Sequence, residues 1–400
     1  WRPSSALARG GGNEMPAEPW LRFRGECPGW LIEKPGIWNI ILEYAGCGIE
    51  SAMEFYSGIG GMAAALESSK ARFSICRAYD INIHANSVYK HNFGMQPCTS
   101  SIEHLRVSDL DRKACVWLMS PPCQPFTRAG NQKDLEDNRT KSFVHLLDLL
   151  GQMRTPPDYI LLENVKGFDV SNMRKLMLSR LESCGFHCAE FMLQPTQFGV
   201  PNTRLRYYLL ARRTKPFPPS KDGEPFYTAI PSIHTHSSRD DKQHSRDVDR
   251  VVPSLKEYFG TDYEYKQDEL KSFMVPKRVL ERCKGYRFHV AAPWSKNTTC
   301  FTKAYGSKHV KGTGSVVSID EWRGGVDEMT ASDSSVAEFR VVESGEPLRF
   351  FTPREALRLH GFPRGFRFPP ELTHRQAWAC IGNSLNVVVV SELLKCLLSA

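Results

Sequence analysis

Apolar segments that alternate with amphipathic segments dominate this chain between about residues 49 and 211. The runs typical of buried strands are residues 51–56, 73–79, 114–119, 159–162 and 207–211. Helical patterns lie between them, at residues 143–152 and 173–183 among others. Strands that alternate with helices predict a mostly parallel sheet with helices on both faces, which is the α/β class.

The pattern changes after residue 211. Four prolines fall within residues 215–225, and residues 237–250 are almost wholly polar or charged. We therefore predict a flexible polar loop near 215–250, within a second, smaller domain that spans 212–345. Residues 346–400 return to the main domain that begins at residue 49, and they include a predicted helix at 387–398. Residues 1–48 are interpreted as a poorly ordered N-terminal extension.

Composition narrows the class of protein. Apolar residues make up 41% of the chain and charged residues 24%, as in ordinary folded proteins. No apolar run approaches the roughly 18 residues that a membrane helix needs, so we expect no membrane partner. Twelve cysteines are scattered without a CxxC pair, which favours a reducing intracellular compartment over a disulfide-linked secreted protein.

Positive charge is concentrated in one window. The chain carries 52 Lys and Arg against 44 Asp and Glu, a net charge of +8. Residues 277–311 hold nine of these basic residues, one acid and several aromatic residues. Basic side chains neutralise phosphates and aromatic rings stack on unpaired bases, so the window is compatible with nucleic-acid binding. A solvated basic face is an equally good interpretation.

A glycine turn follows the first predicted strand, at residues 57–61, and a helix follows the turn. Such a turn lets the backbone approach a ligand closely, although turns of this kind are common. The next strand ends at Asp80, where an acidic residue often binds ribose hydroxyls. Asp80 could equally cap a helix at 81–90, and spacing alone does not decide between the two roles.

Cys123 lies in the segment SPPCQPF, directly after the apolar run 114–119. Open α/β sheets place their sites at the carboxyl ends of strands, and three prolines make this loop stiff. A stiff loop at a strand end is a poor place to bury a thiol, and no paired metal ligands lie nearby in the sequence. Cys123 is therefore predicted to be a nucleophile.

Three further sites end or begin apolar segments. Glu163 follows a strong strand, where burial should raise the pKa of its carboxyl group and allow it to donate a proton. Arg204 and Arg206 open the last strand and lie on one face by alternation, where they could pair with Glu163, bind a phosphate or coat an edge. Asn383 and Ser384 precede the C-terminal helix and are also ordinary turn residues.

Together these motifs resemble the cytosine-C5 methyltransferases. EFYSGIGGM, SPPCQPFTR, ENV, RLRYY and GNSLN occur in the order typical of that family, over about residues 49–400. Within the family the chain is most similar to the branch that methylates the anticodon loop of aspartate tRNA. That branch carries a CFT tripeptide before a glycine-rich basic stretch, which here begins at Cys300.

The resemblance implies a Rossmann-like S-adenosylmethionine-dependent methyltransferase domain with a smaller target-recognition domain. It implies catalytic roles for four residues, namely Cys123, Glu163, Arg204 and Arg206. It implies S-adenosyl-L-methionine as cofactor, bound by Tyr56, Ser57, Gly58, Ile59, Gly60, Gly61, Asp80, Ile81, Ile102, Glu103, Pro122, Asn383 and Ser384. Substrate contacts are implied for Gln124, Arg128, Cys300, Phe301, Thr302, Lys303 and Lys308. No metal site is expected.

The implied activity is methyl transfer to C5 of an anticodon-loop cytosine, position 38, in tRNA(Asp), through a covalent bond between the cysteine and C6. The implied partner is tRNA, with weak DNA binding as a secondary property, and the expected location is the cytoplasm and also the nucleus. Two alternatives remain open from the sequence. One is a DNA cytosine-C5 methyltransferase, and the other is a catalytically weak nucleic-acid-binding homologue.

Overall fold

The computed structural model describes residues 50–122, 137–220, 224–231, 251–259, 270–307, 310–319 and 338–398. The predicted extension at 1–48 and most of the predicted polar loop lie outside these ranges. So do four of the predicted site residues, Cys123, Gln124, Arg128 and Lys308.

A six-stranded sheet forms the centre of the fold, with the strand order β2-β1-β3-β4-β6-β5. Its strands are β1 (Glu50–Phe55), β2 (Phe73–Tyr79), β3 (Val116–Met119), β4 (Tyr159–Val165), β5 (His187–Leu193) and β6 (Arg206–Arg212). Neighbours from β2 to β4 pair in parallel, whereas β6 is antiparallel to both β4 and β5. The predicted mostly parallel sheet is thus confirmed, with β6 as the reversed strand.

Helices connect the strands and close the chain. They are α1 (Gly61–Ser69), α2 (Ile83–Phe93), α3 (Val107–Leu110), α4 (Lys141–Gln152), α5 (Asn172–Ser183), α6 (Lys277–Arg282), α7 (Pro353–Leu359), α8 (His374–Asn383) and α9 (Val387–Leu398). Their ends follow local side-chain chemistry. For example, the Ser171 hydroxyl accepts a hydrogen bond from the backbone N–H of Arg174 at the start of α5.

Alternation along the strands divides the apolar core between the two faces of the sheet. In β1, Ala52 belongs to the cluster on the α1 and α9 face, while Met53 and Phe55 belong to the cluster on the α4 and α5 face. In β4, Leu161 and Leu162 divide in the same way. Helices therefore cover both faces, as the sequence pattern predicts.

A second sheet of four strands has the order β10-β8-β7-β9. Its members are β7 (Arg287–Ala291), β8 (Val316–Ser318), β9 (Glu338–Val341) and β10 (Leu348–Phe350). Strand β10 lies beyond the predicted domain boundary at residue 345. Apolar side chains of this sheet, such as Val290 and Val316, join the same cluster as Ala52.

Two local predictions differ from the structure. Part of the predicted polar loop pairs with β5, because the backbone N–H of Tyr227 donates to Glu190 O at 2.8 Å and Met192 N donates to Tyr227 O at 2.9 Å. Strand β5 itself was not predicted from the sequence. Its exposed His187 and its polar Glu190 interrupt the apolar pattern of a buried strand.

Within His374–Leu398 the C-terminal helices are long and apolar enough to cross a membrane, but 61% of the 18-residue apolar stretch that meets this criterion is buried inside the protein. The stretch is also divided, because α8 ends at Asn383 and α9 begins at Val387. Helix α9 packs along α1 on one face of the central sheet. The apolar character of this stretch is therefore that of core helices.

Glu54, near the end of β1, is a carboxyl group that is fully buried. Tyr89 of α2 donates a hydrogen bond of 2.9 Å to Glu54 Oε2, and Oε1 has no hydrogen-bond partner within the described residues. Burial raises the pKa of Glu54 to about 8, and the nearby Asp80 charge adds to this. The Tyr89 hydroxyl and the nearby backbone N–H groups of Ala63 and Met62, which make no hydrogen bond of normal geometry to Oε1, only partly oppose the rise. Glu54 therefore keeps its proton near neutral pH.

The buried carboxyl group predicts a pH-dependent effect of Glu54→Gln. Between its ordinary pKa of 4.5 and its folded pKa of about 8, the folded chain retains a proton that the unfolded chain releases. Wild-type stability should therefore fall as pH rises through this window, whereas an amide carries no such proton. Relative to wild type, the Tm of Glu54→Gln should rise by about 2 °C or more between roughly pH 5 and pH 8.5.

Thermal unfolding measured by circular dichroism across this pH range checks the expectation. The matched control is Glu371→Gln, which changes an exposed glutamate and should leave the pH profile of Tm unaltered. Parallel Tm profiles for wild type and Glu54→Gln would contradict the assignment of a protonated Glu54.

Candidate active site

A cavity of about 540 Å³ opens where β1, β2, β3 and β4 end. This is the edge at which open α/β sheets bind ligands. Among the residues predicted from the sequence, the cavity is lined by Tyr56, Ser57, Gly58, Ile59, Gly61, Asp80, Ile81, Ile102, Glu103, Pro122, Glu163, Arg204, Arg206, Asn383 and Ser384. Segments more than 300 residues apart in the sequence thus meet around one space.

The glycine turn forms one wall. Gly58 and Gly60 have φ angles of +53° and +88°, which a residue with a side chain rarely adopts. A Cβ atom on Gly60 would also lie 2.3 Å from the ring of Phe93. Gly60 does not line the cavity itself but forms the N-cap of α1.

Asp80 holds this turn in place. Its Oδ2 accepts a hydrogen bond of 2.7 Å from Gly58 N, and its Oδ1 accepts one of 2.8 Å from Asn82 N. Burial raises the pKa of Asp80, and these two amides oppose that rise. The alternative role of Asp80 as helix cap is wrong, because the N-cap of α2 is Asn82, whose side chain accepts from His84 N and Ala85 N.

Tyr56 begins the turn in an unusual backbone conformation, with a φ angle of +58°. Two contacts fix it there. The Ser120 hydroxyl donates to Tyr56 O at 3.0 Å, and the Tyr56 hydroxyl donates to Ser142 Oγ at 3.1 Å. Tyr56 therefore joins the glycine turn to the segment that leads to Cys123 and to the start of α4.

The base of the proline-rich loop is fixed at two points. Besides the Ser120 contact, Asn164 of β4 donates from Nδ2 to Pro121 O at 3.3 Å, and Asn164 is itself buried. The next residue, Pro122, lines the cavity. Cys123 follows Pro122 in the chain, and its role as nucleophile stays a prediction because it lies outside the described residues.

Glu163 and Arg206 meet at the floor of the cavity. Antiparallel pairing sets Arg206 at the start of β6 opposite Val165 at the end of β4. Arg206 Nε lies 3.4 Å from Glu163 Oε1, which makes an ion pair although this N–H does not point at the oxygen. Burial raises the pKa of Glu163, while the charges of Arg206 and Arg204 partly oppose the rise. The neutral carboxyl group is thus favoured more than in an exposed glutamate.

Arg204 and Arg206 both contact Cys300, although only Arg206 belongs to β6 and Arg204 lies before the strand that it was predicted to open. Arg204 Nη1 donates to Cys300 Sγ at 3.2 Å, and Arg206 Nη2 does so at 3.6 Å. Burial favours the neutral thiol, but the two positive charges and their hydrogen bonds outweigh it, so the pKa of Cys300 lies below its ordinary value. Cys300 is therefore more readily ionised than a typical thiol.

The rest of the CFT segment divides between core and surface. Phe301 is 1% exposed and packs against Tyr305 and Phe351, whereas Lys303 is exposed and Thr302 is half-buried. The interpretation of the basic window as a set of stacking rings is wrong for Phe288, Phe301 and Tyr305, which are buried. Its half-buried aromatic residues are Tyr286 and Trp294.

A further wall of the cavity was not predicted from the sequence. Asn138, Arg139 and Ser142, at the start of α4, line it together with Ser100 and Ser101. The only sequence signal was a short polar run before an amphipathic helix, which is typical of any helix N-terminus. The described parts of the chain contain no group of three His, Cys, Asp or Glu side chains placed to hold a metal ion.

The contacts of Cys300 predict that Arg206→Gln raises the pKa of this thiol. Loss of one neighbouring cation should slow alkylation of Cys300 near neutral pH by roughly tenfold, the effect of one pKa unit, because the thiolate is the reactive form. The rate is measured with iodoacetamide, and mass spectrometry of peptides separates Cys300 from other cysteines. The exposed Cys76 is the internal reference. An unchanged pH profile for Cys300 would contradict the electrostatic role of Arg206.

Comparisons with known proteins agree with this geometry. The family described as C-5 cytosine-specific DNA methylase matches residues 51–399. The tRNA (cytosine(38)-C(5))-methyltransferase of Bos taurus is 38% identical over 392 residues, covering 86% of this chain and 98% of that protein. A DNA (cytosine-5)-methyltransferase of Dictyostelium discoideum is 40% identical over 371 residues, covering 87% of this chain and 94% of that protein.

Among solved structures, a mutant of DNMT2 from Spodoptera frugiperda superposes with a TM-score of 0.68 at 38% sequence identity. The match covers 87% of this chain and 99% of that chain. It supports an S-adenosylmethionine-dependent methyltransferase fold of the α/β class. With its motifs gathered around one cavity, this chain belongs to the C-5 cytosine methyltransferase family.

Proposed function

We propose that this chain methylates C5 of cytosine 38 in the anticodon loop of tRNA(Asp), with S-adenosyl-L-methionine as methyl donor. The observation that carries the proposal is the cavity in which the glycine turn and Asp80 face Glu163 and Arg206. Similarity to tRNA (cytosine(38)-C(5))-methyltransferases, including those of Bos taurus and Homo sapiens, supports tRNA as the substrate.

Members of the family use S-adenosylmethionine, which supplies an electrophilic methyl group when bound. The cavity has a shape and hydrogen-bonding groups that suit such a molecule. Gly58 has open space where a side chain would lie and so admits close approach, and Asp80 presents carboxylate oxygens that accept from hydroxyl groups. Asn383 and Ser384 line the same space from the far end of the sequence, beside Gly61. We assign the cofactor to these residues and to Ile81, Ile102 and Glu103 near them.

The chemistry begins at the cytosine ring, whose C5 is too electron-poor to attack a methyl group directly. We assign Cys123 as the nucleophile whose thiolate forms a bond to C6 and thereby makes C5 nucleophilic. After C5 has accepted the methyl group, removal of the C5 proton expels the Cys123 thiolate and restores the aromatic ring. The methyl group would come from the sulfonium of S-adenosylmethionine, which would leave as the neutral thioether S-adenosylhomocysteine, and the C5 proton would pass to water. The cysteine is regenerated, so atoms and charges balance over the cycle.

Glu163 is assigned to the N3 side of the base. A protonated carboxyl group can donate to N3 while its other oxygen accepts from the exocyclic amino group, and burial favours this protonated form. Arg206 lies against Glu163 and orients it, and its positive charge stabilises negative charge that develops on the ring during addition.

An RNA loop suits this site because the base must leave its stack to reach the thiol. A cytosine in an anticodon loop is already unpaired, so its extrusion costs less than that of a paired base in duplex DNA. Lys303 is exposed next to Thr302 and can contact a phosphate of such a loop. The name of the Dictyostelium relative and the family description favour DNA as the second candidate substrate.

Glu163 and Asp80 are assigned to different ligands, so we expect their substitution to impair different steps of the reaction. Glu163→Gln should lower the rate of methyl transfer while the affinity for S-adenosylhomocysteine is retained, because Glu163 acts on the base. Asp80→Asn should weaken S-adenosylhomocysteine binding by about tenfold or more, the typical effect of a lost charged hydrogen bond. Isothermal titration and single-turnover assays measure the two quantities. Loss of cofactor affinity alone in both variants would refute the assignment of Glu163.

Substrate choice is the decisive test of the proposed function. At matched salt, transcripts of tRNA(Asp) should be methylated far faster than duplex DNA, and replacement of the target cytosine by uracil should abolish the signal.

Cys123→Ala should remove all turnover and the covalent adduct with 5-fluorocytosine RNA, while binding of S-adenosylhomocysteine remains. Lys303→Glu should weaken tRNA binding and reduce its salt dependence. Equal or faster methylation of duplex DNA would establish the second candidate instead.

A further inference from the structure

Arg204 makes contacts that the proposed chemistry does not use. It is 3% exposed, and its guanidinium group bridges two segments that are remote in sequence. On one side Nη1 donates to Cys300 Sγ at 3.2 Å and to Phe301 O at 3.1 Å. On the other side Nη2 donates to Gly382 O at 3.3 Å and to Ser384 O.

The two segments belong to different parts of the cavity region. Gly382 and Ser384 line the cavity beside the glycine turn, where a Cβ atom on Gly61 would lie 3.1 Å from Ser384 Oγ. Cys300 and Phe301 are not among the residues that line the cavity. Arg204 is therefore a direct link between the cofactor side of the cavity and the CFT segment.

Backbone packing reinforces this link. A Cβ atom on Gly382 would lie 2.2 Å from the carbonyl carbon of Thr302 and 2.3 Å from Lys303 N. The two backbones are thus in direct contact, with no side chain between them to absorb a displacement. Close-packed contacts of this kind transmit small shifts from one segment to the other.

The CFT segment is also fastened on the side of Arg204. Thr203 N donates to Thr298 O at 2.8 Å, and Asn202 Nδ2 donates to Thr298 Oγ1 at 3.0 Å and Thr299 O at 3.1 Å. Three hydrogen bonds therefore tie the residues before Arg204 to those before Cys300. A displacement of Arg204 should therefore displace Cys300 as well, because no flexible segment separates the two residues.

We propose that Arg204 is a positioning residue that couples occupancy of the cofactor side, at Asn383 and Ser384, to the position and reactivity of Cys300. The proposal rests on the proposed function for the identity of the cofactor, and it extends that function by a link between the cofactor and substrate sides. A ligand that orders residues 382–384 would hold Arg204 more firmly against Cys300. The thiol would then be less available to an external reagent.

The test is the alkylation rate of Cys300 in the full-length protein, with and without saturating S-adenosylhomocysteine. Peptide mass spectrometry follows Cys300, and Cys76 serves as the reference thiol. In wild type the ligand should slow Cys300 alkylation by about fivefold or more, the lower range of measured coupling between sites. In Arg204→Lys, whose single ammonium group cannot reach both segments, the ligand effect should be largely lost although the ligand still binds, because only the backbone contact at Gly382 is left to transmit it.

Arg206→Lys is the matched control. It also changes a cation that contacts Cys300, but Arg206 makes no hydrogen bond to Gly382 or Ser384. The ligand should therefore still slow Cys300 alkylation in this variant. Persistence of the effect in Arg204→Lys would show simple shielding of the thiol and overturn the proposal.

A second measurement covers the case in which Arg204→Lys does not fold. Because the Cys300 thiol is one of the groups that hold the Arg204 guanidinium in place, Cys300→Ala should weaken S-adenosylhomocysteine binding by about fivefold, the lower range of equilibrium coupling between sites, although Cys300 does not line the cavity. Unchanged affinity in folded Cys300→Ala would overturn the proposal. Titration calorimetry also separates the proposed coupling from the assignment of the cofactor. Binding to wild type without any change at Cys300 refutes the coupling alone, whereas no binding refutes the cofactor assignment and the coupling together.

Discussion

The antiparallel pairing of β6 with β4 is the constraint on which the candidate site depends. It sets the beginning of one strand beside the end of the other, so Arg206 lies where Glu163 points. If β6 ran parallel to β4, the beginning of β6 would lie at the opposite edge of the sheet, away from the cavity. A buried carboxyl group, two guanidinium groups and a thiol then compensate one another in a place that water does not reach freely.

This same pairing explains the limits of prediction from sequence. Alternating apolar and amphipathic segments indicate the strands and helices, and the motif residues fall at strand ends that a parallel sheet brings together. The direction of β6 is not visible in its sequence, because period-two alternation is the same for both directions. For that reason the sequence left three roles open for Arg206, namely pairing with Glu163, binding a phosphate or coating an edge of the sheet.

Other differences have equally local causes. Asp80 and Asn82 are both good caps, and only the backbone geometry shows that Asn82 caps α2 while Asp80 holds the glycine turn. Aromatic residues in the basic window were ambiguous between surface and core. Phe301 and Tyr305 pack against one another in the core, so the charges of the window belong to a surface whose aromatic residues mostly point inward.

The conformation of Tyr56 has a consequence for the thermodynamics of binding. A left-handed backbone costs a residue with a side chain about 1–2 kcal/mol, and here hydrogen bonds to Ser120 and Ser142 offset that cost as the chain folds. The glycine turn therefore already has its close-approach shape, and a ligand that binds there has little ordering entropy to lose. The free-energy cost of shaping this pocket therefore reduces the stability of the folded protein and does not reduce its affinity for the ligand.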